Sequence, residues 1–273
     1  MIDDPRGAID YDEHGSGPAT LVFVPGSFAT GAAWRAVIGS LQGRWRTVTT
    51  SLLGYGRTAE RRSLQNLSID NEVEVLDAVL RRVGGPAHLI GHSFGGWVAL
   101  AWAMRNTQRP LSLTVIEPPA PSVLEAAGEH ELLGRFHAMS DAYIAAWRSG
   151  ETDAARRVID FYGGDGCFDA MPPRVREFTV QATGANVYDW LTAYDDRCDA
   201  AAFARIRAPT QVLRGALGHP AVQRSNELIS QWLPQGSLVT MPGANHFMIA
   251  THAAEVARLV EAHSDAASRG PTA

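Results

Sequence analysis

No stretch of the sequence is long and apolar enough to span a membrane. The first residues, Met1-Ile2-Asp3-Asp4-Pro5-Arg6, lack the basic and apolar regions of a secretory signal. Cysteine is scarce: Cys167 and Cys198 stand at no metal-binding spacing, which reads as two reduced thiols in a cytoplasmic protein without a metal site. Positive charge is not in excess either, and a net charge of −5 argues against nucleic acid or an anionic membrane as the main partner. There is no internal repeat. Gly163-Gly164-Asp165-Gly166 is no phosphate loop, because no apolar strand precedes it. What is present suffices for one folded unit: 273 residues, 45% of them hydrophobic, can bury a full core.

The most informative stretch runs from Ala87 to Leu100, where an apolar run, Gly91-His92-Ser93-Phe94-Gly95 and a helical pattern read as strand, sharp turn and helix. A serine at the tip of such a turn is driven towards unfavourable φ/ψ, and strand and helix approach too closely for Cβ atoms. Gly91 and Gly95 leave that room, and Gly96 lets the helix pack tightly. The Phe94 N–H then points where negative charge would form on a substrate carbonyl. His92, beside the serine, points away from its hydroxyl and reads as structural.

Around this turn, apolar runs alternate with helical patterns, the mark of an α/β fold. Ala8–Glu13 reads as an alternating edge strand, Thr20–Val24 and Leu111–Ile116 as buried ones, and Arg46–Ser51 as a further strand. Thr210–Gly215 and Ser237–Met241 follow late in the chain. The region from about 120 to 208 has amphipathic helices, many aromatics and no strand-like run, so two sheet segments (1–119 and 209–273) flank a helical insertion (120–208). The tail from Ser264 is small and polar, as expected of a frayed end.

These pieces, in this order, resemble the α/β-hydrolase superfamily from about residue 8 to residue 263. The resemblance implies an α/β-hydrolase fold: a mostly parallel sheet with helices on both faces and a helical lid over the turn. Pro25-Gly26-Ser27-Phe28 stands where the family has its oxyanion loop, with Pro25 in place of a common histidine. The N–H of Ser27, or of Phe28, is the candidate second oxyanion donor. Phe28 and three lid aromatics, Trp147, Phe161 and Trp190, are candidates for substrate contact.

A serine hydroxyl needs a base to take its proton, and the resulting imidazolium needs a carboxylate. The resemblance places the base at His246, on the loop after the last strand. The acid most often follows the strand Gln211–Leu213, yet the loop there, Gly215 to Val222, holds no Asp or Glu. Glu117, ending the strand after the serine helix, fills a position that some members use, with Asp195, Asp196 and Asp199 as fallbacks. The expectation is a serine hydrolase without cofactor or metal, acting on a carboxylic ester or lactone of a small, fairly apolar molecule as a monomer or homodimer. Haloalkane dehalogenases and epoxide hydrolases share the fold but need an aspartate where Ser93 stands. Carbon–carbon hydrolases, thioesterases, perhydrolases and a slow-turnover ligand receptor remain open alternatives.

Overall fold

The computed structural model describes residues 1–43, 45–106 and 108–269. At its centre lies a seven-stranded sheet in the order β1-β3-β2-β4-β5-β6-β7. The strands are β1 (Asp12–His14), β2 (Thr20–Val24), β3 (Arg46–Thr49), β4 (Ala87–His92), β5 (Ser112–Ile116), β6 (Thr210–Gly215) and β7 (Gly236–Met241). β1 is antiparallel to β3, and every other neighbouring pair is parallel. β2, β4 and β5 are buried at every position, which is why they read as continuous apolar or near-apolar runs.

Alternation along these strands divides the core into two layers. Val22, Leu89, Val115 and Val212 face α2 (Asp70–Val83), α3 (Phe94–Arg105) and α11 (Pro220–Trp232). Phe23, Ile90, Ile116 and Leu213 face α1 (Arg35–Gly39) and α13 (Ala253–Arg269). A period of two sends successive side chains to opposite helix layers, so both faces of the sheet are covered. The chain order reverses between β2 and β4, since β3 lies to one side of β2 and β4 to the other. Loops leaving the C-terminal ends of β2 and β4 therefore diverge, and open α/β sheets bind ligands in the crevice this leaves.

Between β5 and β6 lie seven helices and, among the described residues, no strand. They are α4 (Pro121–Ala126), α5 (His130–Arg148), α6 (Arg156–Gly163), α7 (Cys167–Ala170), α8 (Pro173–Gln181), α9 (Thr183–Asp195) and α10 (Ala200–Phe203). Their buried aromatics, among them Phe136, Tyr143, Phe168 and Trp190, join the same cluster as the α2–α3 layer. The segment is packed onto the core through apolar contact, not tethered beside it.

Two expectations shift. The edge strand is confined to Asp12–His14, while Ile9 forms an isolated bridge with Ile2 instead. The polar tail does not fray at Ser264: α13 continues to Arg269 and buries Ser264. Contacts from its last turns hold it, with His263 Nε2 at 3.2 Å from the Pro209 carbonyl and Ser268 Oγ at 3.2 Å from His88 Nε2. The last four positions, 270–273, lie outside the described residues. Of the described helices, none is long and apolar enough to cross a membrane, and no cluster of described side chains could hold a metal ion.

Candidate active site

Ser93 stands between β4 and α3 with φ 51° and ψ −130°. The glycines around it are there for want of space: a Cβ on Gly91 would lie 2.5 Å from the Gly95 carbonyl oxygen, and one on Gly95 would overlap the Pro25 carbonyl. The turn is thereby pressed against the loop after β2. The Ser93 N–H donates to the Ile116 carbonyl at 2.8 Å, tying the turn to the last residue of β5. The first N–H groups of a helix lack intrahelical acceptors, and that of Phe94 has no acceptor among the described residues.

Glu117 follows directly. It is fully buried, with φ 44°, and its own N–H donates to the Leu213 carbonyl at 3.0 Å. One carboxylate oxygen, Oε2, takes the hydrogen bond from His246 Nδ1 at 2.8 Å, and Oε1 accepts the Gly215 N–H at 2.7 Å. The last residue of β6 thus supplies a donor that helps solvate a buried carboxylate. A proton on Nδ1, held by Glu117, leaves Nε2 as the basic nitrogen. Among the described residues the Ser93 hydroxyl makes no hydrogen bond. Serine–histidine contacts are often long before substrate binds.

The His246 ring is held on several sides. Tyr162 stacks on it at 4.1 Å between ring centroids, and His92 lies at 4.8 Å. Burial, with the neighbouring His246 imidazole, pulls the His92 pKa down to about 3. His92 is therefore neutral near pH 7, and its Nε2–H donates to the His246 carbonyl at 2.8 Å. It braces the histidine loop. The three fallback aspartates lie elsewhere: Asp196 accepts from Trp97 and Arg105, Asp199 caps α10, and Asp195 is exposed.

A cavity of about 340 Å³ opens over these groups. Ser27, Phe28, Ser93, Phe94 and His246 line it from the core, and Val158, Ile159, Met171, Val175 and Trp190 from the helical segment above. Phe28 has φ 57°, so the three non-glycine residues with positive φ among those described, Phe28, Ser93 and Glu117, all belong to this site. Such conformations cost about 1–3 kcal/mol each and cluster where function requires them.

Two of the candidate lid contacts lie off the cavity. Trp147, 36% exposed, sits on the outer side of α5 beside Gly184. Phe161 stacks on His219 at 3.9 Å. One residue is about 100° of helix rotation, so it is Tyr162 that α6 turns towards the cavity. Sequence reasoning also missed Asn186 and Asp189, which share the cavity face of α9 with Trp190 and Ala193. Their i, i+3, i+4, i+7 spacing was the available signal. The Asn186 side-chain amide is buried, and its Oδ1 has no hydrogen-bond partner among the described residues.

Asp189 is buried too, and its three partners come from the loop after β2 and the turn after β3. Its Oδ2 accepts from Ser27 Oγ at 2.5 Å and Tyr55 OH at 2.6 Å, and its Oδ1 from Arg62 Nη1 at 2.6 Å. The Arg62 guanidinium also reaches Glu60 at 2.8 Å and lies 3.5 Å from the fully buried Glu72. Burial, helped by the Asp189 charge and opposed by Arg62, pushes the Glu72 carboxyl up to about 8. Glu72 is thus protonated near neutral pH, and Arg62 balances Asp189 and Glu60.

Comparison with known proteins agrees with this architecture. A family model described as "Alpha/beta hydrolase family" matches residues 21–259. The chain is 26% identical to 2-hydroxymuconate semialdehyde hydrolase of Pseudomonas sp. (strain CF600), over 93% of this chain and 87% of that protein. It is 29% identical to the pimeloyl-[acyl-carrier protein] methyl ester esterase of Vibrio campbellii, over 55% of this chain and 61% of the other. Among solved structures, MenH from S. aureus superposes with a TM-score of 0.76 at 15% identity, covering 94% of this chain and 98% of that one. Carrying both the fold and the family's sequence pattern along most of its length, the chain belongs to the alpha/beta hydrolase family.

Proposed function

We propose that this hydrolase is a cofactor-independent serine esterase or lactonase that works through an acyl-enzyme. The observation that carries the reading is the buried Glu117–His246 pair, 2.8 Å apart, whose histidine lines the same cavity as a serine held at φ 51°. Ser93 Oγ attacks the substrate carbonyl and passes its proton to His246 Nε2. Glu117 stabilises the imidazolium from the Nδ1 side, and the Phe94 and Ser27 N–H groups hold the oxyanion. As the tetrahedral adduct collapses, the alcohol leaves with the proton from His246. Water then attacks the acyl-enzyme with His246 as base, releasing the acid and restoring Ser93.

The substrate side follows from the wall. Among the described residues no arginine lines the cavity, and its one carboxylate, Asp189, is occupied by three donors. A neutral, largely apolar ester or lactone suits such a wall better than a muconate-like carboxylate, which would be buried without a counter-charge. The unpartnered Asn186 amide offers one place for a hydrogen-bonding group on that substrate. The helices 120–208 act as the lid in this reading. A panel of short and long nitrophenyl esters, lactones and a vinylogous diketone tests it: the esters and lactones should turn over fastest. Turnover of the diketone alone would replace ester chemistry by carbon–carbon cleavage, and tight binding without turnover would indicate a receptor.

A further inference from the structure

A strained backbone persists only where its surroundings over-determine it. Ser93 has the packed turn, and Glu117 has two hydrogen bonds through its carboxylate and one through its N–H. The tip of the oxyanion loop has less. Pro25 has no N–H, Gly26 has no side chain, and Phe28 sits at φ 57°. Among the described residues, one side-chain hydrogen bond reaches positions 25–28, from Ser27 Oγ to Asp189 Oδ2 at 2.5 Å. Its acceptor is not on the core. It comes from α9, across the cavity, and the same carboxylate is gripped by Tyr55 and Arg62 of the turn after β3. The carboxylate cannot swing away without breaking its ion pair with a guanidinium that has no exposed surface, and its hydrogen bond from Tyr55.

We propose that Asp189 is a positioning residue: it holds the oxyanion loop through the Ser27 hydroxyl, so the loop is set only while α9 is seated on the core. The inference rests on the serine-hydrolase reading above, and it makes the lid part of the catalytic geometry as well as a cover. A hydroxyl donating to a carboxylate is about twice as strong as a neutral hydrogen bond. Donors in an oxyanion hole act only when placed within a few tenths of an ångström of the developing charge. Releasing the loop therefore weakens transition-state binding while leaving ground-state contacts with the apolar wall in place.

The test is Ser27→Ala, which removes the donor and leaves Asp189 paired with Tyr55 and Arg62. With the best nitrophenyl ester, kcat should fall about 10–100-fold, part of the 10²–10³ that loss of a whole oxyanion donor costs, with KM within about threefold. Affinity for a boronic acid, which forms a tetrahedral adduct on a serine, should fall in parallel. Ser27→Thr, which keeps the hydroxyl, should recover most of both. Hydrogen exchange at the N–H groups of residues 26–28 should quicken in Ser27→Ala without change in the strands. A kcat within twofold of the parent, or a loss wholly in KM, would overturn the inference. A parent that turns over no ester or lactone would defeat the hydrolase reading instead. The exchange measurement then still decides whether Asp189 braces the loop, and unchanged exchange at 26–28 would end the proposal in either case.

Discussion

The two walls of the cavity are built in opposite ways. The core wall stands on the ends of β2, β4 and β5, and its working groups are held by backbone: Ser93 and Glu117 sit at positive φ, each tied through its N–H to a neighbouring strand. The helical wall presents side chains from α6, α8 and α9, mostly apolar, whose positions depend on packing. Strand ends offer few conformations and therefore precision. Helix faces offer shape, which can vary without disturbing the sheet. The contrast implies that damage to the core wall appears in kcat and damage to the helical wall in KM.

The largest effect should come from Ser93→Ala. Ester hydrolysis should drop to at most about 10³–10⁴-fold over the uncatalysed rate, the remainder that binding and an oxyanion hole alone provide. Steady-state turnover at micromolar enzyme is enough to see it, and activity close to the parent's would empty the core wall of its role.

The same contrast governs what could be read from the sequence. The core wall was legible because its signals are local: a Gly-x-Ser-x-Gly after an apolar run, a histidine after the last strand, and a missing acid in the loop 215–222. That absence leaves Glu117 as the acid nearest the family pattern, and the Gly215 N–H at the end of β6 donates to its carboxylate. The helical wall was legible only as a region. No residue of α6 is exposed, so aromatic spacing could not tell Phe161, which stacks on His219, from Tyr162, which stacks on His246. Asp189 was out of reach for another reason: its partners Ser27, Tyr55 and Arg62 lie far from it in sequence and form no motif. The length of the last helix was missed because a small, polar composition says little about a tail whose contacts are tertiary.

A smaller effect should follow from Trp190→Leu on the helical wall. KM for a long-chain ester should rise about tenfold, from the apolar area lost, with kcat within about threefold. If kcat fell and KM stayed, the walls would not divide the work as described.

The smallest effect on turnover should come from Glu72→Gln, beneath the junction of the two walls. The folded carboxyl titrates at about 8 against an ordinary 4.5, so between those values the native state holds a proton that the unfolded chain has lost. Stability is therefore greatest below about pH 4.5 as far as this group is concerned, and declines as pH rises towards 8. Glutamine keeps the shape and the acceptor for the Leu53 N–H, so the variant should flatten that decline and match or exceed the parent's Tm at pH 7. A Tm lowered by more than about 10 °C would instead make Glu72 a charged partner of Arg62, on the usual scale of 4–8 °C or less per kcal/mol.

Ser93, His246 and Glu117 are expected to act as one unit on the core wall. The rate at which a fluorophosphonate modifies the enzyme, followed by intact mass and peptide mapping in the parent and in Glu117→Gln, tests this directly. A single adduct on Ser93, forming at least ~100-fold more slowly in the variant while its melting curve stays close to the parent's, is the predicted result. The charge that stabilises the imidazolium is worth up to about 10⁴ in the best-studied triad. An adduct on another residue, or an undiminished rate in Glu117→Gln, would contradict it.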